Sequence, residues 1–146
     1  MESENKMVIL IVEDDMADQK LVKYALSSCG VRCDIHCCES GEHALDYLIN
    51  SRSGIPQNPS PDIILLDLNM PGMGGKEFLR QIKANESYCA IPVVILTTSG
   101  SETDIEYCYK LNASGYIQKP TSPTEFQETV GKFTKYWSLT SLVTRK

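Results

Sequence analysis

The stretch ILLDLNMP, residues 64–71, indicates how the rest of the chain folds. It begins as a continuous apolar run, which is typical of a strand buried on both faces of a parallel sheet. The run ends on one carboxylate, Asp67, and a proline follows Leu68, Asn69 and Met70. Because sites in open α/β sheets lie beyond the carboxyl ends of the strands, we expect Asp67 to belong to one.

Outward from this run, short apolar segments alternate with segments of helical periodicity. The predicted strands are residues 7–12, 31–37, 62–67, 92–97 and 114–118, and the predicted helices are residues 17–29, 41–50, 75–85, 101–111 and 122 onward. We expect Leu21 in the first helix and Ile49 in the second to lie on buried faces. Residues 51–61, SRSGIPQNPSP, form an unusually long loop. The alternation predicts an α/β fold with a five-stranded parallel sheet covered by helices on both sides.

Length and composition predict one domain over residues 1–146, with a core at 7–137 and a C-terminal extension at 138–146. The chain is 42% hydrophobic and 23% charged, as in soluble globular proteins. Its net charge is -5 and its basic residues are scattered, which argues against nucleic acid as a partner. No apolar run approaches the roughly 20 residues of a membrane span, and the N-terminus does not resemble a signal peptide. We therefore expect a cytoplasmic protein without a membrane partner.

Charged and hydroxyl side chains follow four of the predicted strands. In chain order they are Glu13, Asp14 and Asp15, then Asp67, then Thr97 and Thr98, and finally Lys119. The carboxyl ends of parallel strands meet at one edge, so these side chains should converge. Clustered carboxylates repel one another unless a cation is present, and Mg²⁺ takes oxygen ligands and phosphate oxygens. With Lys119 neutralising the remainder, Asp67 is the candidate nucleophile toward a phosphoryl group.

Four motifs together resemble the receiver domain of two-component response regulators: VILIVEDD, DIILLDLNMPGMGG, IPVVILTTS and ASGYIQKP. The resemblance implies the flavodoxin-like, CheY-like sheet with strand order 2-1-3-4-5. It also implies that Asp67 accepts a phosphoryl group from a histidine kinase. The metal ligands would be Glu13, Asp14, Asp67 and the backbone carbonyl of Asn69. Such a protein is not an enzyme beyond Mg²⁺-assisted self-phosphorylation and self-dephosphorylation.

The resemblance assigns further roles at the ends of the last two strands. Thr97, followed by Thr98, matches the switch hydroxyl of the family. Lys119 matches the lysine that contacts the phosphoryl group and that is joined in receivers to its proline, here Pro120, by a cis peptide.

A second group of positions concerns switching and its timing. Tyr116 matches the aromatic residue that turns inward on activation. Asn69 and Ser99 match two positions that tune the lifetime of the phosphoryl group. The face formed by the fourth helix, the fifth strand and the fifth helix is the expected surface for signalling, as in related receivers.

The long loop and the extension FTKYWSLTSLVTRK are similar to those of stand-alone receivers that work with phytochrome-type histidine kinases. The downstream partner would be another protein, which the sequence does not identify. Phe133, Tyr136 and Trp137 either pack within the last helix layer or contribute to a homodimer interface.

Three other functions use related folds or residues. A haloacid-dehalogenase-type phosphatase needs a second aspartate two residues after the first, where this chain has Asn69. A flavin-binding module needs a phosphate-binding loop after the first strand, where this chain has acids. A receiver-like scaffold that binds partners without phosphorylation would not require the full set of site residues found here.

Overall fold

The computed structural model of the chain describes residues 6–139, and within them five strands alternate with five helices. They are β1 Met7–Val12, α1 Met16–Ser28, β2 Cys33–Cys38, α2 Gly41–Arg52, β3 Ile63–Leu66, α3 Gly75–Lys83, β4 Val93–Thr97, α4 Glu102–Lys110, β5 Gly115–Gln118 and α5 Pro123–Ser138. Neighbouring strands are all parallel, in the order β2-β1-β3-β4-β5. The predicted flavodoxin-like, doubly wound α/β fold is therefore confirmed.

Each face of the sheet has its own apolar layer. Successive side chains of a strand point to opposite faces, so Leu65 packs with residues of α1 and α5. Its neighbours Ile64 and Leu66 pack with residues of α2 and α3 instead. All four side chains of β3 are buried, which explains why the run before Asp67 is apolar without interruption. Burying a Leu or Ile side chain stabilises the fold by roughly 1.5–3 kcal/mol, so β3 is held firmly in the core.

Local sequence features set the helix ends. The hydroxyl of Ser40 accepts a hydrogen bond from the amide of His43 at 3.0 Å, so it is the N-cap of α2. Pro123 is the first residue of α5, where a missing backbone N–H costs nothing. Gly30 follows the end of α1 with a φ of +86°, a left-handed conformation that glycine adopts without strain.

Two predictions about buried helix faces are wrong. Leu21 is 36% exposed and Ile49 is 56% exposed. Side chains of adjacent helical residues point in directions about 100° apart. Misplacing the buried face of a helix by one residue therefore changes which side chains are predicted to be buried. The buried face of α1 includes Gln19 and Val22, and the buried face of α2 includes Tyr47.

Two other expectations need correction. Helix α2 continues to Arg52, so the loop begins later than predicted. The hydroxyl of Tyr47 donates to the carbonyl of Pro59 at 2.7 Å and holds this loop against α2. Among residues 6–139 every peptide bond is trans, so the cis peptide implied between Lys119 and Pro120 is not found.

The C-terminal helix ends the described part of the chain. Helix α5 extends to Ser138, and residues 140–146 of the predicted extension lie outside the described residues. No helix in residues 6–139 has the length and apolar character needed to cross a membrane.

Candidate functional site

Three carboxylates meet at the carboxyl edge of the sheet. Glu13 and Asp14 directly follow β1 and Asp67 directly follows β3, and one oxygen from each lies within 4.8 Å of the others. Glu13 and Asp67 are buried, whereas Asp14 is more accessible to solvent. The amide of Asp67 donates to the carbonyl of Val12 at 3.0 Å. The sheet's hydrogen bonding thus continues past β3 and fixes where the Asp67 carboxyl group stands.

Asp15 does not join this cluster. Its Oδ1 accepts hydrogen bonds from the amides of Ala17 at 2.8 Å and Asp18 at 3.3 Å. A carboxylate in this position caps α1 by satisfying N–H groups that have no partner within the helix. The expectation that all three acids of the EDD motif converge is therefore wrong for Asp15.

Lys119, which directly follows β5, supplies a positive charge to the site. Its amide donates to the carbonyl of Thr97 at 2.7 Å, which fixes the backbone just beyond β5. Its ammonium donates to Glu13 at 2.6 Å and to Asp18 at 2.7 Å, and lies 4.0 Å from Asp67 Oδ2. Burial opposes the charged form, but the hydrogen bonds to Asp18 and Glu13 outweigh it and raise the pKa of Lys119.

The carboxyl group of Glu13 has a raised pKa. Burial raises its pKa to about 7, although the hydrogen bond from Lys119 works in the opposite direction. The negative charge of Asp67 contributes to the increase. The backbone at this position is also fixed, since Gln19 Nε2 donates to the carbonyl of Glu13 at 2.6 Å. Glu13 therefore cannot turn away from the neighbouring acids without breaking buried contacts.

These residues suit a divalent cation. The three side chains of the cluster offer only oxygen atoms, the ligands that hard cations such as Mg²⁺, Mn²⁺ and Ca²⁺ prefer. One ammonium faces more than one carboxylate, so a cation would compensate negative charge that Lys119 leaves. The backbone amide of Asn69 donates to Asp67 Oδ1 at 3.4 Å, so the backbone of residue 69 lies beside the cluster. Its carbonyl as a further ligand stays a prediction.

Thr97 and Thr98 have different environments. Thr97 is fully buried at the end of β4, and its hydroxyl accepts a hydrogen bond from Asn69 Nδ2 at 3.4 Å. Thr98 is exposed and, together with Lys119, lines a cavity of about 200 Å³. The structure thus places the Thr97 hydroxyl next to the side chain of the residue two beyond Asp67.

Residues 9–131 match the family model described as the response regulator receiver domain. The chain belongs to this family. As a receiver domain it is a signalling protein of two-component systems rather than a classical enzyme, and the comparisons give no support to the phosphatase reading.

Similar proteins include phytochrome response regulators. The response regulator Rcp1 of Synechocystis is 35% identical over 136 residues, covering 93% of this chain and 92% of that protein. A probable methanogenesis regulatory protein, FilR2 of Methanothrix harundinacea, is 38% identical over 137 residues, covering 94% and 87%. The phosphorylated cyanobacterial phytochrome response regulator RcpA has a crystal structure that matches with a TM-score of 0.86 at 34% identity, covering 94% and 99%. The Mn²⁺-bound form of Rcp1 matches with a TM-score of 0.81 at 33% identity, covering 92% and 96%.

In this receiver domain, Ser99 and Tyr116 are in direct contact. The hydroxyl of Tyr116 donates to the carbonyl of Ser99 at 2.8 Å. The hydroxyl of Ser99 donates to Asp104 Oδ2 at 2.6 Å, and Lys76 of α3 forms an ion pair with the other oxygen of Asp104. The segment between β4 and α4 is therefore tied to α3, α4 and β5 at once.

Several of these contacts are not predicted by the sequence. In the sequence, Asp18 resembles an ordinary acid in the first turn of a helix, where the helix dipole favours it. Gln19 stands in a segment whose periodicity favours Leu21 as the buried residue. Asp18 matters because the fold brings residue 119 to α1, and no local pattern indicates a contact between residues 101 positions apart. Gln19 matters because its side chain donates to the backbone carbonyl of Glu13.

Proposed function

We propose that Asp67 accepts a phosphoryl group from a histidine kinase and that this modification switches the receiver domain between two conformations. The observation that carries the proposal is the position of the Asp67 carboxylate. It is buried at the end of a central strand, within 4.8 Å of two further carboxylates and 4.0 Å from the Lys119 ammonium. A carboxylate in such surroundings is suited to nucleophilic attack on a phosphoryl group.

The transfer itself needs little covalent chemistry from the protein. An Asp67 oxygen forms a bond to phosphorus as the phosphorus–nitrogen bond of the kinase's phosphohistidine breaks, and the nitrogen keeps the bonding electrons. The product carries up to about two negative charges and three acceptor oxygens at Asp67. Lys119 has three N–H donors, of which Glu13 and Asp18 use two. One donor is therefore left for a phosphoryl oxygen.

We assign Mg²⁺ as the physiological cation at Glu13, Asp14, Asp67 and the backbone carbonyl of Asn69. A cation held by these residues would supply positive charge to the phosphoryl oxygens, which would support self-phosphorylation from small phosphodonors and self-dephosphorylation. The oxygen-only donor set supports this assignment, and the similar protein Rcp1 has been observed in a Mn²⁺-bound form.

The conformational response is proposed to pass from Thr97 to Tyr116. The Thr97 hydroxyl, now bonded to Asn69, would move toward a phosphoryl oxygen and leave space beside β4. Tyr116 is partly buried against the layer under α2 and α3, and it would turn further inward. The side chains of Ser99, which donates to Asp104, and of Asn69, which donates to Thr97, are proposed to set how long the phosphorylated state lasts. Phosphorylation would shift the populations of two packings rather than create a new fold.

The partners follow from similarity and from the exposed face of the domain. Similarity to the phytochrome response regulator RcpA supports a phytochrome-type histidine kinase as the donor. The face formed by α4, β5 and α5 is proposed to bind a downstream protein after the switch. We propose that the chain acts in the cytoplasm as one receiver unit over residues 1–146, without nucleic acid or membrane partners.

A homodimer is proposed on the same face. Tyr136 is 62% exposed and its ring contacts Trp137, which in turn packs on Phe133. These aromatic residues line a cavity of about 530 Å³ beside Tyr109. Exposed aromatic patches often mark protein contacts. Sedimentation at tens of micromolar that shows only a monomer, with and without a phosphoryl mimic, would contradict the dimer.

The test of phosphorylation is incubation with acetyl phosphate and Mg²⁺, followed by intact mass measurement. The wild type should gain one acid-labile phosphoryl adduct and Asp67→Asn should gain none. Asp15→Asn is the matched control, since it removes an acid that caps α1 outside the cluster and should still be modified. No adduct on the wild type would refute the proposal and favour a receiver-like scaffold. An adduct that persists in Asp67→Asn would also refute it, because another residue would then be the acceptor.

A further inference from the structure

Asp18 lies outside the carboxylate cluster but shares its lysine. Its Oδ2 accepts a hydrogen bond from the Lys119 ammonium at 2.7 Å, nearly the distance at which Glu13 binds the same group. We propose that Asp18 is a positioning residue, which keeps the Lys119 ammonium within reach of Asp67 when Glu13 is engaged with a divalent cation. This inference rests on the proposed function of Asp67 as the phosphoryl acceptor.

The head group of Lys119 depends on its partners for its position. The backbone of residue 119 is fixed by its hydrogen bond to Thr97, but a lysine side chain is long and has many rotamers. Such a side chain has a large rotamer entropy, which opposes any single arrangement. The side chain of Lys119 is only 5% exposed, and its ammonium is held by two carboxylates. Loss of either contact would let the ammonium move relative to Asp67.

Glu13 alone cannot keep the ammonium in place in the phosphorylated site. It is one of the three carboxylates whose oxygens lie within 4.8 Å of one another. A cation bound to this cluster would attract the carboxylate of Glu13 and repel the ammonium of Lys119. The Glu13 contact therefore weakens in the state where the lysine must contact a phosphoryl oxygen.

Asp18 can hold the lysine independently of the cation. It is not among the three clustered carboxylates, and it stands in the first turn of α1, where the helix dipole favours a negative charge. The side chain of Asp15 caps this turn and accepts a hydrogen bond from the backbone amide of Asp18. The backbone that carries the Asp18 side chain is therefore fixed. The side chain of Asp18 is 26% exposed, which leaves it at the rim of the site rather than inside it.

The alternative is that Asp18 only stabilises the start of α1. The two explanations differ in the sign of one effect. Removing a negative charge near the site should by itself favour an anionic phosphoryl mimic. If Asp18 positions Lys119, its neutralisation should instead weaken binding of the mimic, because the lysine must then be ordered during binding.

The experiment uses the full chain and beryllofluoride as the phosphoryl mimic, titrated by calorimetry at saturating Mg²⁺. We expect Asp18→Asn to weaken binding of the mimic by roughly tenfold or more, the range of a hydrogen bond between charged groups. We expect Mg²⁺ affinity without the mimic to change less than about threefold, because Asp18 is not in the cluster. Asp18→Glu should recover part of the lost affinity, because it restores the carboxylate.

Asp15→Asn is the matched control. It removes one charge from the same helix end, and Asn caps a helix as well as Asp does. Mimic affinity in Asp15→Asn should stay within about twofold of the wild type. The inference is overturned if Asp18→Asn binds the mimic as tightly as the wild type, if Asp15→Asn loses as much affinity, or if Mg²⁺ affinity falls equally. Failure of the wild type to bind the mimic, or equal binding by Asp67→Asn, would instead refute the proposed function.

Discussion

Gly75, the first residue of α3, is predicted to be irreplaceable because it packs against the backbone that carries Asp67. A Cβ atom at this position would stand 2.2 Å from the carbonyl oxygen of Asp67 and 2.7 Å from the Cα atom of Leu68. Both are backbone atoms, so no flexible side chain can move aside. In Gly75→Ala, either the start of α3 or the segment 67–68 must shift by about 1 Å to restore an ordinary contact.

The cost follows from what this shift would disturb. Helix α3 places Phe78, Leu79 and Ile82 in the core, each with no exposed surface. Forcing extra atoms into such packing costs typically about 1–3 kcal/mol. Because backbone atoms must move, we expect a loss of about 2–3 kcal/mol in the free energy of unfolding. Urea unfolding should then show a midpoint lowered by about 1 M.

Gly74→Ala provides the control at the adjacent position. A Cβ atom there would meet its nearest neighbour, the carbonyl oxygen of Leu68, at 3.6 Å, which is ordinary contact. Gly74 is the N-cap of α3 and makes no side-chain hydrogen bond, so its replacement should cost less than about 1 kcal/mol. Equal urea midpoints for the two variants would refute the reasoning. If the shift moves Asp67, Gly75→Ala should also bind beryllofluoride about 10- to 100-fold more weakly.

Three further predictions concern the site. Burial raises the pKa of Glu13 to about 7, so the metal-free protein should lose stability as the pH rises through that value. At pH values below about 7, Mg²⁺ should bind more weakly, because a proton competes for the Glu13 carboxylate. Calorimetric titrations with Mg²⁺ across this pH range should show that the affinity of the wild type depends on pH, and Glu13→Gln should abolish this dependence. Without metal at about pH 8, Asp67→Asn should raise the free energy of unfolding by about 1 kcal/mol, because it removes repulsion within the cluster. With Mg²⁺ bound, the wild type should instead be the more stable of the two. Tyr116→Phe loses the hydrogen bond to Ser99 and should cost about 0.5–1.5 kcal/mol in urea unfolding, whereas Tyr109→Phe on the exposed surface should cost little.

The sequence predicts the fold well because the deciding features are local. The uninterrupted apolar run of β3 requires burial on both faces, and a parallel sheet between two helix layers provides this. The order of elements then determines that Glu13, Asp14, Asp67 and Lys119 emerge at one edge. Strand ends can be predicted to within one or two residues, and this precision is enough to identify which residues lie together at the edge of the sheet.

Features that depend on the direction of a side chain are harder to predict. Leu21 and Ile49 lie beside their helix stripes, and an error of one position moves a side chain by about 100° around the helix. Asp15 is adjacent in sequence to two acids of the cluster but turns to cap α1. Which acid of a run points into the site depends on where the helix begins, and helix starts are the least certain part of a sequence-based prediction.

Long-range contacts between polar residues are not predictable from periodicity at all. The contact between Asp18 and Lys119 joins the start of α1 to the end of β5. The contact between Tyr116 and Ser99 joins β5 to the segment after β4. Both cross between elements whose spacing in the sequence carries no information about the distance between these atoms. They arise only when neighbouring strands and helices have been packed in three dimensions.

The stability of the core is what allows the site to hold unfavourable charge. Glu13 and Asp67 follow strands whose side chains are nearly all buried, so the two carboxylates cannot separate unless the sheet is disrupted. Local repulsion therefore persists in the folded protein and contributes, together with burial, to the raised pKa of Glu13. Under the proposed function, a bound cation would relieve this repulsion, and the cation and Lys119 would together hold the phosphoryl group. A rigid sheet edge would thus convert a local electrostatic cost into affinity for the proposed cation and phosphoryl group.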